Sequence, residues 1–162
     1  LYNVPSRTGL NMSPETVAKL AKLKNVVGIK EASGNFDQIS KIFQLTRGED
    51  FALLSGNDSH TLPILALGGV GVISVASNIV PGEVARLVKA YREGKIEEAR
   101  KIHYELAPLF ETLFIETNPA PVKEAMNMMG LAAGEPRLPL VRVSESTREK
   151  LRGVLSRLGI LK

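Results

Sequence analysis

Val26-Val27-Gly28-Ile29-Lys30-Glu31-Ala32 is the stretch on which the fold turns. Val26 to Ile29 run apolar without a break, the pattern of a short strand covered on both faces. Ser13-Pro14 lies upstream, an N-cap followed by proline at the first helical position, and Val17, Leu20, Ala21 and Leu23 give that helix an inner face ending at Asn25. Downstream, Ile39, Ile42, Phe43 and Leu45 predict a helix over Phe36–Arg47, closed by Gly48. Phe51–Leu54 is the next strand, Ser55–Asp58 a turn, Leu62–Leu67 a short helix and Gly71–Ala76 a further strand. Pro81 opens another helix through Tyr91, and Leu1–Val4 is a strand stub. Such alternation predicts βα units on a parallel sheet, either open and doubly wound or part of a closed (β/α)8 barrel. Three clear strands and the Leu1–Val4 stub make about half of an eight-stranded barrel, which needs about 250 residues in all.

The last third changes character. Ile96, Ala99, Ile102, Leu106, Phe110 and Leu113 predict a long helix, and a second follows Asn118-Pro119-Ala120-Pro121 and ends at Gly130. Residues 131–143 read as a loop, after which Ser144 caps a final helix carrying Leu151, Val154, Leu155 and Leu158. The expected division is residues 1–94 for the sheet unit and 95–162 for a helical segment. Met126, Met128 and Met129 are read as packing.

Composition excludes several classes of function. The chain has no cysteine, which removes disulfides, thiolate metal sites and thiol nucleophiles and fits a reducing cytoplasm. The net charge of +4 is too small and dispersed for a nucleic-acid footprint, and 5% aromatics without tryptophan give no stacking platform. Residues 61–82 carry no charge, yet Pro63, Gly68, Gly69, Gly71 and Pro81 break the run, which reads as separate soluble elements rather than a membrane span. The opening residues lack the basic and apolar pattern of a signal peptide. His60 and His103 have no carboxylate spacing of a metal motif, and phosphate-binding glycine loops and the serine-hydrolase elbow are absent. Asp58 reads as the cap of the helix that follows it. The mixed charges of residues 85–101 read as a solvated face.

In parallel α/β folds the reactive groups gather at the carboxyl ends of the strands. Lys30 is the anomaly there. Burial disfavours an ammonium and raises the share of neutral amine that imine formation needs. Two readings stand: a nucleophile, or a lysine snorkelling at a strand end and paired with Glu31 or another carboxylate. Tyr2 and Arg7 lie in Tyr2-Asn3-Val4-Pro5-Ser6-Arg7-Thr8-Gly9, a shaped loop after a strand. A tyrosine can relay protons and a guanidinium can clamp a carboxylate; equally, Tyr2 can simply pack and Arg7 can cap a helix or face solvent.

The segments 2–9, Gly28-Ile29-Lys30-Glu31-Ala32-Ser33-Gly34, Leu54-Ser55-Gly56-Asn57-Asp58, Gly71-Val72-Ile73-Ser74-Val75 and Glu116-Thr117-Asn118-Pro119-Ala120-Pro121-Val122-Lys123 occur together and in order. In this the chain resembles the 4-hydroxy-tetrahydrodipicolinate synthase (dihydrodipicolinate synthase) family of pyruvate-dependent class I aldolases, over essentially its whole length. The resemblance implies a (β/α)8 TIM barrel with C-terminal helices, of which this chain is the C-terminal half, about strands 5–8. It implies a Schiff base between pyruvate and Lys30, proton relay by Tyr2, and Arg7 on the carboxylate of L-aspartate 4-semialdehyde, with Gly56 and Ile73 lining the pocket. No metal or organic cofactor is implied, since the protein amine itself carries the chemistry.

The same resemblance implies a cytoplasmic homotetramer serving the diaminopimelate route to lysine. It also places the pyruvate-carboxylate loop, a second relay tyrosine and most of a lysine-feedback site in an N-terminal half that this chain lacks. A half-barrel exposes a sheet edge, so association with the other half is expected, and poor turnover without it. Two alternatives are carried forward: a related pyruvate aldolase acting on another aldehyde, and a non-catalytic half-barrel assembly module.

Overall fold

Four short parallel strands form one sheet in the first part of the computed structural model, which describes residues 1–161. They are β1 (Tyr2–Asn3), β2 (Gly28–Glu31), β3 (Ala52–Ser55) and β4 (Gly71–Val72), side by side in chain order. The register sets Tyr2 beside Lys30, Lys30 beside Leu54 and Leu54 beside Gly71. One residue further on, Asn3, Glu31, Ser55 and Val72 form the next row. Four helices alternate with the strands: α1 (Pro5–Thr8), α2 (Pro14–Ala21), α3 (Phe36–Leu45) and α4 (Thr61–Ala66).

Local chemistry explains the starts. Ser13 Oγ accepts from the Thr16 N–H at 3.2 Å, with Pro14 at the first helical position of α2. Asn35 Oδ1 accepts from the Gln38 N–H at 3.0 Å and caps α3. Val17 of α2, Ile39 and Ile42 of α3 and Ile64 of α4 pack on Ile29 and Leu53 of the sheet, with Met12, Phe36, Phe43 and Phe51 around them. Each such side chain, fully withdrawn from water, contributes about 1.5–3 kcal/mol before chain entropy is set against it.

That core corrects the expectation of strands covered on both faces. Burial alternates along β2 and β3: Ile29, Glu31, Leu53 and Ser55 are buried, whereas Gly28, Lys30, Ala52 and Leu54 are half-buried. All three packing helices of this unit meet the Ile29–Leu53 side. The apolar run that suggested two-sided cover begins in the loop, since β2 starts at Gly28 and Val27 is 67% exposed. β4 likewise stops at Val72 rather than Ala76. The stretch expected as a shaped loop after β1 contains α1, with Pro5 at its first position and Gly9 ending it at φ 68°.

A second compact unit begins at Val75; the first ends at Ser74. It contains α5 (Pro81–Arg92), α6 (Ile96–Thr112), α7 (Ala120–Met128) and α8 (Glu145–Arg157). α5 packs on α6, and α6 and α7 both pack on α8, around buried Leu87, Ile102, Leu106, Leu109, Leu151 and Leu155. Ser144 Oγ accepts from the Thr147 N–H and caps α8 as expected. Residues 131–143 carry no regular element, and Met126, Met128 and Met129 are half-buried. The solvated face is laced by Arg86–Glu83 at 3.0 Å, Lys95–Glu93 at 2.8 Å and Arg100–Glu97 at 2.7 Å. Residues 61–82 divide among α4, β4, a 3₁₀ turn at Ala76–Asn78 and the start of α5. Among the described residues no helix is long and apolar enough to cross a membrane.

Candidate active site

The pleat decides what meets at the carboxyl end of the sheet. Tyr2 and Lys30 are register partners on the face away from the helices, and the Lys30 Nζ stands 4.1 Å from the centroid of the Tyr2 ring. Lys30 is half-buried and Tyr2 is 49% exposed, so the amine is held yet reachable. Gly56 closes the third side. Its N–H donates to the Glu31 carbonyl at 2.7 Å, and a Cβ built on it would stand 2.7 Å from Ala32 Cβ and 3.2 Å from Lys30 Cε. Any larger residue would press on the lysine stem, so the glycine clears the space in which that stem lies.

The remaining candidates sit on the flanking strand ends. Arg7 is exposed in the last turn of α1, four residues beyond β1. Ile73 follows β4; its N–H donates to the Ser55 carbonyl at 2.9 Å while its side chain is 47% exposed. Tyr2, Lys30 and Gly56 are therefore brought together, and Arg7 and Ile73 stand outside their mutual contacts.

The pairing of Lys30 with Glu31, left open in the sequence, is not what forms. Consecutive strand residues point to opposite faces, and Glu31 enters the helix side at 1% exposure. There its carboxylate accepts from Asn3 Nδ2 at 3.1 and 3.2 Å and from the Ser33 N–H at 2.6 Å. Asn3 in turn accepts from the Met12 N–H at 2.9 Å and donates to Asn11 Oδ1 at 2.9 Å. Asn11 and Gln38 bond reciprocally at 2.7 and 3.2 Å. Alternation alone could have flagged this network, because Ile29 and Glu31 must share a face, and a carboxylate on a core face needs donors.

Asp58 also differs from its expected role. The cap position of α4 is His60; Asp58 lies in the preceding 3₁₀ turn, buried, and accepts from the Ser74 hydroxyl. His60 is half-buried, edge-on to Phe36 at 5.2 Å between centroids, with Asn57 Nδ2 3.1 Å from its Nδ1. Burial pulls its pKa below the ordinary 6.5. Among the described residues no group of three or more histidines and carboxylates is placed to hold a metal ion.

The family model described as the dihydrodipicolinate synthetase family matches residues 1–158. The chain belongs to this family. It is 56% identical over 161 residues to a 4-hydroxy-tetrahydrodipicolinate synthase of Archaeoglobus fulgidus, covering 99% of this chain and 55% of that protein. A solved dihydrodipicolinate synthase from Thermotoga maritima superposes with a TM-score of 0.94 at 52% identity, over 99% of this chain and 55% of the other. One from Cyanidioschyzon merolae, solved with lysine bound, superposes with a TM-score of 0.95 at 45% identity, over 99% and 54%. The chain thus spans about half the length of the curated relatives it matches. These neighbours and the parallel α/β sheet set the family member among TIM-barrel proteins.

Proposed function

We propose that this chain carries the imine-forming part of a 4-hydroxy-tetrahydrodipicolinate synthase, condensing pyruvate with L-aspartate 4-semialdehyde. The observation that carries the reading is the Lys30 amine held 4.1 Å over the Tyr2 ring at the carboxyl end of the sheet, in space cleared by Gly56. The neutral amine attacks C2 of pyruvate, and loss of water leaves a protonated imine. That imine accepts the electron pair released when a methyl proton departs, with Tyr2 relaying the proton. The enamine carbon then attacks the aldehyde carbon, whose oxygen takes up a proton. The amine of the bound product displaces Lys30 from the imine carbon, closing the ring and freeing the lysine. Arg7 holds the carboxylate of the semialdehyde, and Gly56 and Ile73 line the pocket. The route runs through a protein amine and calls on no metal or organic cofactor.

The chain's half share of its relatives supports reading it as the C-terminal half of a (β/α)8 barrel, residues 1–94, followed by a helical segment, residues 95–162. α5 counts with the barrel by its place in the βα order, although it packs on α6. An N-terminal half and a homotetrameric, cytoplasmic assembly belong to the same proposal.

Incubation of the chain with pyruvate and borohydride, followed by intact mass and peptide mapping, tests it. A reduced pyruvyl adduct on Lys30 is expected. An adduct confined to other lysines, or none in either this chain or a full-length relative-like assembly of it, would sink the assignment.

A further inference from the structure

We infer that Glu31, acting through Asn3, is a positioning residue that fixes the Tyr2 ring against the Lys30 amine. Glu31 and Asn3 are 1% and 2% exposed, and among the described residues every hydrogen-bond donor to the carboxylate is uncharged: Asn3 Nδ2 and the Ser33 N–H. Withdrawing a carboxylate from water without a cation is expensive, and an apolar pair of similar volume serves packing at least as well. The position therefore answers to something other than stability. Asn3 and Glu31 are the chain neighbours of Tyr2 and Lys30, one step along the pleat and on the opposite face. Locking residue 3 to residue 31 locks residue 2 to residue 30.

The strand ladder needs that help. β1 pairs with β2 over two residues only, so few ladder bonds set its register. Asn3 adds bonds to Glu31, Asn11 and the Met12 N–H, and Gln38 of α3 reaches the same cluster through Asn11. One network thus ties β1, the entry to α2, β2 and α3 beneath the amine, and the Glu31 carbonyl holds Gly56 beside it.

The catalytic consequence rests on the pyruvate–imine reading above; the positioning does not, and two readouts separate them. In the full chain the Lys30 ε-methylene protons are displaced in the NMR spectrum by the Tyr2 ring current, with Tyr2→Leu supplying the undisplaced value. Glu31→Gln keeps size but sets an amide donor against the Asn3 or Ser33 donor. It is expected to lose at least half of that displacement and to slow borohydride trapping of the pyruvate adduct about tenfold at unchanged half-saturating pyruvate. The exchange Asn3→Asp with Glu31→Gln returns one carboxylate and one amide to the pair and restores both readouts to within about twofold. Full displacement in Glu31→Gln overturns the inference, as does an exchange variant that fails to fold or folds without the displacement. Should Glu31→Gln itself fail to fold, the exchange variant decides alone. If the unaltered chain forms no adduct, either alone or assembled with an N-terminal half, while the resonance responds as described, the pyruvate reading falls and the positioning stands.

Discussion

The Nζ of Lys30 lies 4.1 Å from the centroid of the Tyr2 ring, and the two residues are direct register partners across β1 and β2. A cation over a partly exposed aromatic face is worth about 0.5–1 kcal/mol, enough to choose among lysine rotamers but too little to arrange the strands. The strand pairing brings the ring to the amine; the contact then selects where the amine points.

Ring and hydroxyl of Tyr2 separate on that basis. Tyr2→Phe keeps the aromatic face, so trapping of the pyruvate adduct on Lys30 is expected to stay within about twofold. On the proposed reading it loses the proton relay, a contribution of about 10²–10⁴ in rate. Exchange of the pyruvate methyl protons for deuterium, followed by NMR, is therefore expected to slow at least about a hundredfold. Exchange at the unaltered rate would remove Tyr2 from the chemistry.

Arg7 distinguishes one aldehyde from another. It is exposed on α1 and stands outside the Tyr2–Lys30 contact, so Arg7→Ala leaves adduct formation with pyruvate within about twofold. Condensation with aspartate semialdehyde, read by coupled assay in the complete assembly, is expected to fall by a factor of about 10 to 100, since a charge-assisted hydrogen bond contributes about 1.5–3 kcal/mol. Equal turnover in variant and parent would overturn the Arg7 assignment.

Two glycines make opposite predictions under the same substitution. At Gly56 a Cβ meets Ala32 Cβ at 2.7 Å, the Glu31 carbonyl at 3.1 Å and Lys30 Cε at 3.2 Å. Gly56→Ala is expected to cost about 1–3 kcal/mol in urea unfolding and to reduce adduct formation on Lys30. Gly82, in the first turn of α5, has nothing within 4 Å of such a Cβ, and Gly82→Ala is expected to stabilise by about 0.4–1 kcal/mol.

His60 sets a pH dependence. Its pKa in the folded chain lies below the ordinary 6.5 because burial disfavours the imidazolium, so the unfolded chain binds more protons there. Stability is then complete above about pH 6.5 and declines as pH falls from there through the lowered folded value. Urea midpoints measured from pH 8 to pH 5 should show this decline, and His60→Gln should flatten it. Parallel curves for the two proteins would place the pH dependence elsewhere.

Much of this was legible in the residues because the signals are local. Ser13-Pro14 and Ser144 announce helix starts by side-chain caps, and both caps form. Lys30 stood out because a cation closes an apolar run. What escaped reading depends on the pleat and on distant partners. Val26 and Val27 look like strand yet precede it, since hydrogen-bond register rather than hydropathy decides where β2 begins. Glu31 looked like a partner for Lys30 until alternation sent it to the other face, where its donors come from residues 28 positions upstream and two downstream. Asp58 looked like a cap because its bond to Ser74 spans sixteen positions.

The alternation along β2 has one more effect. Ile29 is sealed among Val17, Ile39 and Ile42, and Lys30, one step later, is turned outward to the Tyr2 ring. A slip of a single residue would exchange them, driving an amine into the apolar layer and an isoleucine out of it. Mispaired molecules are thus the ones that fail to hold together. The packing acts as a proofreader: a chain that survives folding is one whose amine already faces the right way.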